Sequence, residues 1–185
     1  MFDSENVKAL SSIFLLRVNF CLKETSTTDT ISRFIKHWIK IENYTKKRYA
    51  FLANNTNNAQ AKALFDQLSL AGDKHANILQ RIGKMLMETG EIDKEVILPV
   101  SLRIPEKSTS QRWKTDVEAT YHAMKSHLEI EAGLKEAYEE ISKKITNQEA
   151  QRLFHMMAMD EKEHHKMLLA TIKIFKQIFK DTLRA

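Results

Sequence analysis

LFHMMAMDEKEHHKML, residues 153–168, is the stretch on which the reading of this chain turns. Its apolar residues recur every three or four positions, as they do along one face of an α-helix. Extending that series gives Ala150, Phe154, Met157, Glu161, His164, Leu168, Thr171, Phe175 and Ile178. Glu161 and His164 therefore fall on the apolar seam, while Asp160, Lys162, Glu163 and His165 belong to its flanks or outer face. An ionisable pair inside a core is costly unless something compensates its charge. The compensating groups have to come from elsewhere in the chain.

They are found by an internal repeat. The shift that carries Glu42 onto Glu131 also carries Ile41 onto Ile130 and Tyr49 onto Tyr138. Without a gap it then carries Asn58 onto Asn147, Phe65 onto Phe154, His75 onto His164 and Leu79 onto Leu168. The same interval from Glu to His in both halves marks two copies of one helical hairpin. Each helix has its own seam. The first reads Ile31, Ile35, Trp38, Glu42, Thr45, Tyr49, and the second reads Phe65, Leu68, Gly72, His75, Leu79, Ile82. The third reads Met124, His127, Glu131, Leu134, Tyr138, Ile141. Every helix thus brings a carboxylate, an imidazole or both to the middle of its buried stripe. Several buried carboxylates in one layer repel one another, and a bound cation removes the conflict. Carboxylate and imidazole donors suit iron, manganese or zinc.

The rest of the chain sets bounds on this picture. Four glycines and two prolines in 185 residues argue for long helices and against a β-rich chain. The boundaries follow from local signals. TSTTD (25–29) precedes the first helix, NNTNN (54–58) is a turn, and Gly90 stops the second helix near Thr89. Both prolines fall in 91–110, which no helix carries through. The third helix is expected from about Gln111 to Lys144, and Thr146-x-x-Glu149 reads as a capping box for the fourth. The expected architecture is all-α: an antiparallel four-helix bundle over 28–185, with hairpins at 28–89 and 111–182 and a crossover at 90–110. An N-terminal helical segment, 1–27, precedes it.

That segment contains IFLLRVNFCL (13–22), which is too short to span a bilayer and is interrupted by Arg17 and Asn19. Acidic Asp3 and Glu5 precede it where a signal peptide would be basic. Cys21 is the one cysteine, so paired-cysteine metal sites and internal disulfides are excluded, in keeping with a reducing cytoplasm. A net charge of +5 arises from lysines spread along the chain, so neither nucleic acid nor a membrane is an expected partner.

Glu42 and Glu131, with His75 and the Glu161-x-x-His164 pair, resemble the ligand pattern of ferritin-like di-iron carboxylate proteins. The Glu-x6-Tyr motifs and the Glu-to-His interval look most like the rubrerythrin branch, over about residues 28–180. The resemblance implies Glu42 and Glu131 as terminal ligands, His75 and His164 as one imidazole per metal, and Glu161 as a bridging carboxylate. Tyr49 and Tyr138 would hydrogen-bond the ligand carboxylates. The counterpart of Glu161 is Gly72, and Asp73 lies about 100° away around the helix and cannot simply replace it. An additional glutamate that rubrerythrins carry one turn after Glu131 is Leu134 here, and the paired-cysteine rubredoxin module is absent. His127, one turn before Glu131, stands open between an extra ligand and a packing or supporting residue. The eight methionines read as core filling.

By this resemblance the chain is a non-haem metal-binding protein, with iron as two ions or one and manganese or zinc as substitutes. Peroxide- or oxygen-reactive oxidoreductase chemistry in the defence against oxidative stress is implied. Electrons would come from an external donor protein, and slender bundles of this kind commonly form homodimers. The alternative is a structural or interaction bundle whose degenerate site holds metal weakly or not at all.

Overall fold

The computed structural model describes residues 27–90 and 116–182. The expected N-terminal helical segment, the crossover and the proposed start of the third helix near Gln111 lie outside those residues. Within them the chain forms α1 (Thr27–Asn54), α2 (Ala59–Thr89), α3 (Asp116–Lys144) and α4 (Gln148–Thr182). Helices of 28 to 35 residues are roughly 40 to 50 Å long at 1.5 Å per residue. α1 packs along α2 and α3 along α4, and the two hairpins meet most closely where α2 faces α4. No helix among the described residues is long and apolar enough to cross a membrane.

The helix ends follow from local chemistry. Asn58 caps α2, its side-chain oxygen accepting from the Ala61 amide at 2.9 Å. At the other end Gly90 adopts φ 68°, a left-handed conformation costly for residues with a Cβ, and its amide donates to the Leu86 carbonyl at 2.9 Å. The start of α4 differs from the capping box expected at Thr146. Asn147 is the cap, and its Oδ1 accepts from the Ala150 amide at 3.0 Å. The physical reason is geometric. An Asn side chain directly before the first helical residue reaches the third free amide, so both hairpins begin their second helix with the same device.

The seam positions through Leu168 are buried as the periodicity requires, and farther along α4 Thr171 is half-buried and Phe175 buried. One apolar cluster joins Ile31, Trp38, Leu79 and Leu86 to Leu134, Tyr138, Phe154 and Met157. A second joins Tyr49, Phe65 and Leu68 to Met124, Leu168 and Phe175. Between them lies a layer of buried polar side chains: Glu42, His75, His127, Glu131, Glu161 and His164. Apolar packing above and below excludes water from that layer and fixes the rotamers of its members.

The capping assignment leads to a measurable asymmetry between neighbours. Asn147→Ala should cost about 1 kcal/mol of stability, as loss of a helix cap typically does. Thr146→Ala should fall within about 0.5 kcal/mol of the parent in urea unfolding.

Candidate metal centre

Each helix contributes one turn of its seam to the polar layer. Glu42 comes from α1, His75 from α2, Glu131 from α3, and Glu161 with His164 from successive turns of α4. The side chains assemble into two triads, Glu42–His75–Glu161 and Glu131–Glu161–His164, whose ligand atoms all lie within 4.8 Å of one another. Glu161 is common to both. Its Oε1 lies 2.9 Å from His75 Nδ1, and its Oε2 lies 2.9 Å from His164 Nδ1. Glu42 Oε1 stands 3.5 Å from His75 Nδ1, and Glu131 Oε2 stands 3.4 Å from His164 Nδ1. The two imidazoles are 5.9 Å apart, centre to centre.

Two tyrosines cross between the hairpins. The Tyr49 hydroxyl on α1 donates to Glu131 Oε1 on α3, and the Tyr138 hydroxyl on α3 donates to Glu42 Oε1 on α1. Burial, reinforced by the adjacent carboxylates, raises both phenols well above their ordinary range, so they remain donors. Each outer carboxylate thereby has one oxygen held by a tyrosine.

The protonation of the cluster shows what it lacks. Burial alone would push His75 down, but the carboxylates of Asp160, Glu161 and Glu42 overcome it and raise it to about 12. Burial likewise opposes protonation of His164, and Glu131 and Glu161 raise it to about 9. Burial, with repulsion from Glu161, pushes Glu131 up to about 8. Protons thus supply the positive charge that the buried carboxylates need. Two ligand atoms of the triads nevertheless make no hydrogen bond of ordinary geometry among the described residues, His75 Nδ1 and Glu131 Oε2, whose contacts are ion pairs alone. Both point into the cluster, one in each triad. Orphaned donor atoms of this kind, with oxygen and nitrogen ligands around them, fit a divalent first-row cation.

Gly72 occupies the place where a second bridging carboxylate would stand. A Cβ built there would lie 3.0 Å from Lys46 Cβ and 3.3 Å from the Glu42 carbonyl oxygen. α1 and α2 lie close together at this position, and a Cβ added here requires its neighbours to give by a few tenths of an ångström. Asp73 does not substitute for it. It turns outward and pairs with Lys46.

His127 is buried on the seam but joins neither triad. Its ring packs against Tyr49 at 4.4 Å, and neither nitrogen has a hydrogen-bond partner. Burial, with Arg48 nearby, lowers it to about 4 against the pull of Glu131, so it is neutral near pH 7. Asp160 is the residue the sequence pattern missed. Placed on the flank, it reaches His75 Nε2 at 3.3 Å and Lys74 Nζ at 2.7 Å. Its position immediately before Glu161 was the available signal.

The fold and the cluster together define a ferritin-like bundle of the non-haem metal-binding class. The family model for rubrerythrin matches residues 33–172, and the chain belongs to that family. No curated protein and no solved structure matches it.

Two outcomes follow from this geometry. His164 has an ordinary value of 6.5 and about 9 when folded, so its stabilisation is complete below 6.5 and lost as pH rises through 9. Glu131, raised from 4.5 to about 8, acts in the same direction, its stabilisation being complete below 4.5 and lost as pH rises through 8. Metal-free protein should therefore melt at progressively lower temperature across the window from His164's ordinary 6.5 to its folded 9. A metal-loaded sample, in which an ion replaces those protons, should show a flatter profile. Separately, Gly72→Ala should lower Tm. Overpacking of about 1–3 kcal/mol outweighs the roughly 1 kcal/mol that alanine gains over glycine within a helix.

Proposed function

We propose that the protein is a non-haem iron protein whose centre holds two ions and reacts with peroxide or dioxygen. The observation that carries this reading is the double membership of Glu161, which offers one oxygen to each triad. A carboxylate so placed can bridge two ions that share its charge, with one histidine and one outer glutamate for each. Iron bound there supplies a pair of one-electron couples, enough for the two-electron reduction of a peroxide to water.

The chain's own residues set the conditions for that chemistry. Tyr49 and Tyr138 hold the outer carboxylates in position, and the apolar clusters on both sides keep bulk water away. With glycine at position 72, Glu42, His75, Glu131, Glu161 and His164 would hold the ions without a second bridging carboxylate, which would leave room for a small oxidant or solvent. With a single cysteine in the whole chain, the electron donor is a separate protein. Manganese or zinc would occupy the same donors without reproducing the iron couples. We place the protein in the cytoplasm as a homodimer that consumes oxidants.

One observation favours a different reading, a structural bundle whose site is a remnant. It is the closure of α1 on α2 at Gly72. Against it stand the buried carboxylates, because replacing a buried ionic cluster with apolar residues is often neutral or stabilising.

Metal analysis separates the two. Protein reconstituted with ferrous iron should hold two ions per chain, one for each triad, and give an oxo-bridged ferric absorption after peroxide. Glu161→Ala should abolish that absorption, whereas His127→Leu should leave the metal content unchanged. Metal well below one ion per chain in the parent protein would sink the iron reading and leave the structural one.

A further inference from the structure

The two triads use the same donor types, but they are not supported alike. His75 turns Nδ1 toward Glu42 and Glu161, and its other nitrogen, Nε2, lies 3.3 Å from Asp160 Oδ2. The same carboxylate oxygen accepts from Lys74 Nζ at 2.7 Å. Lys74 and His75 are consecutive on α2, and Asp160 and Glu161 are consecutive on α4. The brace thus spans the contact between the two hairpins.

Among the described residues His164 has no equivalent. Its ion pairs to Glu131 and Glu161 and its hydrogen bond to Glu161 all run through Nδ1. By the internal repeat, the residue matching Asp160 is Ala71, which is half-buried just as Asp160 is. A methyl group accepts no hydrogen bond. The residue matching Lys74 is Glu163, which pairs with Lys166 on its own helix at 2.7 Å.

A carboxylate on the far nitrogen of a ligating histidine fixes the tautomer, orients the ring and increases its basicity. With Nε2–H donated to Asp160, the ring of His75 is held with Nδ1 facing the cluster before any ion arrives, and an ion takes the place of the Nδ1 proton. His164 has to be oriented by the ion itself. We infer that Asp160, anchored by Lys74, is a positioning residue that makes the two metal subsites unequal: the Glu42–His75–Glu161 subsite fills first and more tightly than the Glu131–Glu161–His164 subsite. This rests on reading the cluster as a two-ion centre.

Cobalt(II) titration of the metal-free full chain tests it, followed by visible ligand-field absorption and by calorimetry. The parent protein should bind in two resolved phases. Asp160→Ala should weaken the first by about 10- to 100-fold, the range seen when such outer partners are removed, and leave the second in place. Asp160→Asn, which keeps an acceptor without the charge, should recover part of the loss. Ala71→Asp should strengthen the second phase, and it tests the idea even where the Asp160 variants fold poorly. His164→Ala should retain the tight phase, and His75→Ala should lose it. Two equal phases in the parent, equal weakening of both by Asp160→Ala, or an unmoved second phase in Ala71→Asp would overturn the inequality while leaving the two-ion reading intact. Absence of any cobalt or ferrous binding by the parent would overturn both.

Discussion

Three carboxylates share one dry layer, and that constraint governs the rest of the molecule. Glu42, Glu131 and Glu161 are each at most 2% exposed. Charge of one sign cannot be left there without compensation. Two imidazoles, a pair of phenols and the protons they hold meet that demand in the metal-free protein, and a cation can take the place of those protons. The long helices, the apolar clusters on either side and the crossed tyrosine bonds all serve to hold these groups at fixed separations.

Much of this was legible in the sequence because the relevant signals are periodic. The four-three series identified the buried stripe of every helix, and the repeat brought Glu42, His75, Glu131, Glu161 and His164 into one layer. Glycine as the missing bridge was visible for the same reason. What periodicity does not encode is which partner a flanking residue meets. Asp160 sits only one position from Glu161, yet its role depends on how α4 faces α2. Nor did the pattern reveal that each tyrosine serves the carboxylate of the opposite hairpin. The capping of α4 shows a similar limit. Thr146 and Asn147 are both competent caps by type, and only the backbone path selects Asn147.

Gly72 illustrates how a loss in one place becomes fixed in another. Removing a side chain at a helix crossing lets the backbones approach, and neighbouring atoms then fill the space. With Lys46 Cβ and the Glu42 carbonyl so near, a side chain at this position would press on α1 from its first carbon. Membership of the rubrerythrin family therefore coexists with a tight glycine contact where the repeat would place a second carboxylate.

The same glycine changes how the two hairpins are joined. Glu42 and His75 belong to the first hairpin and Glu161 to the second, so an ion in that triad is a cross-brace between them. Glu131, Glu161 and His164 all come from the second hairpin, so an ion there tightens one half and leaves the halves independent. The lost carboxylate would have reached across in the opposite sense and made the stapling mutual. In this chain the polar links between the halves include the two tyrosine hydroxyls and the contacts of Asp160 with His75 and Lys74, and an ion in the first triad would add to them. Ion occupancy would then also bear on how firmly the two hairpins are held together.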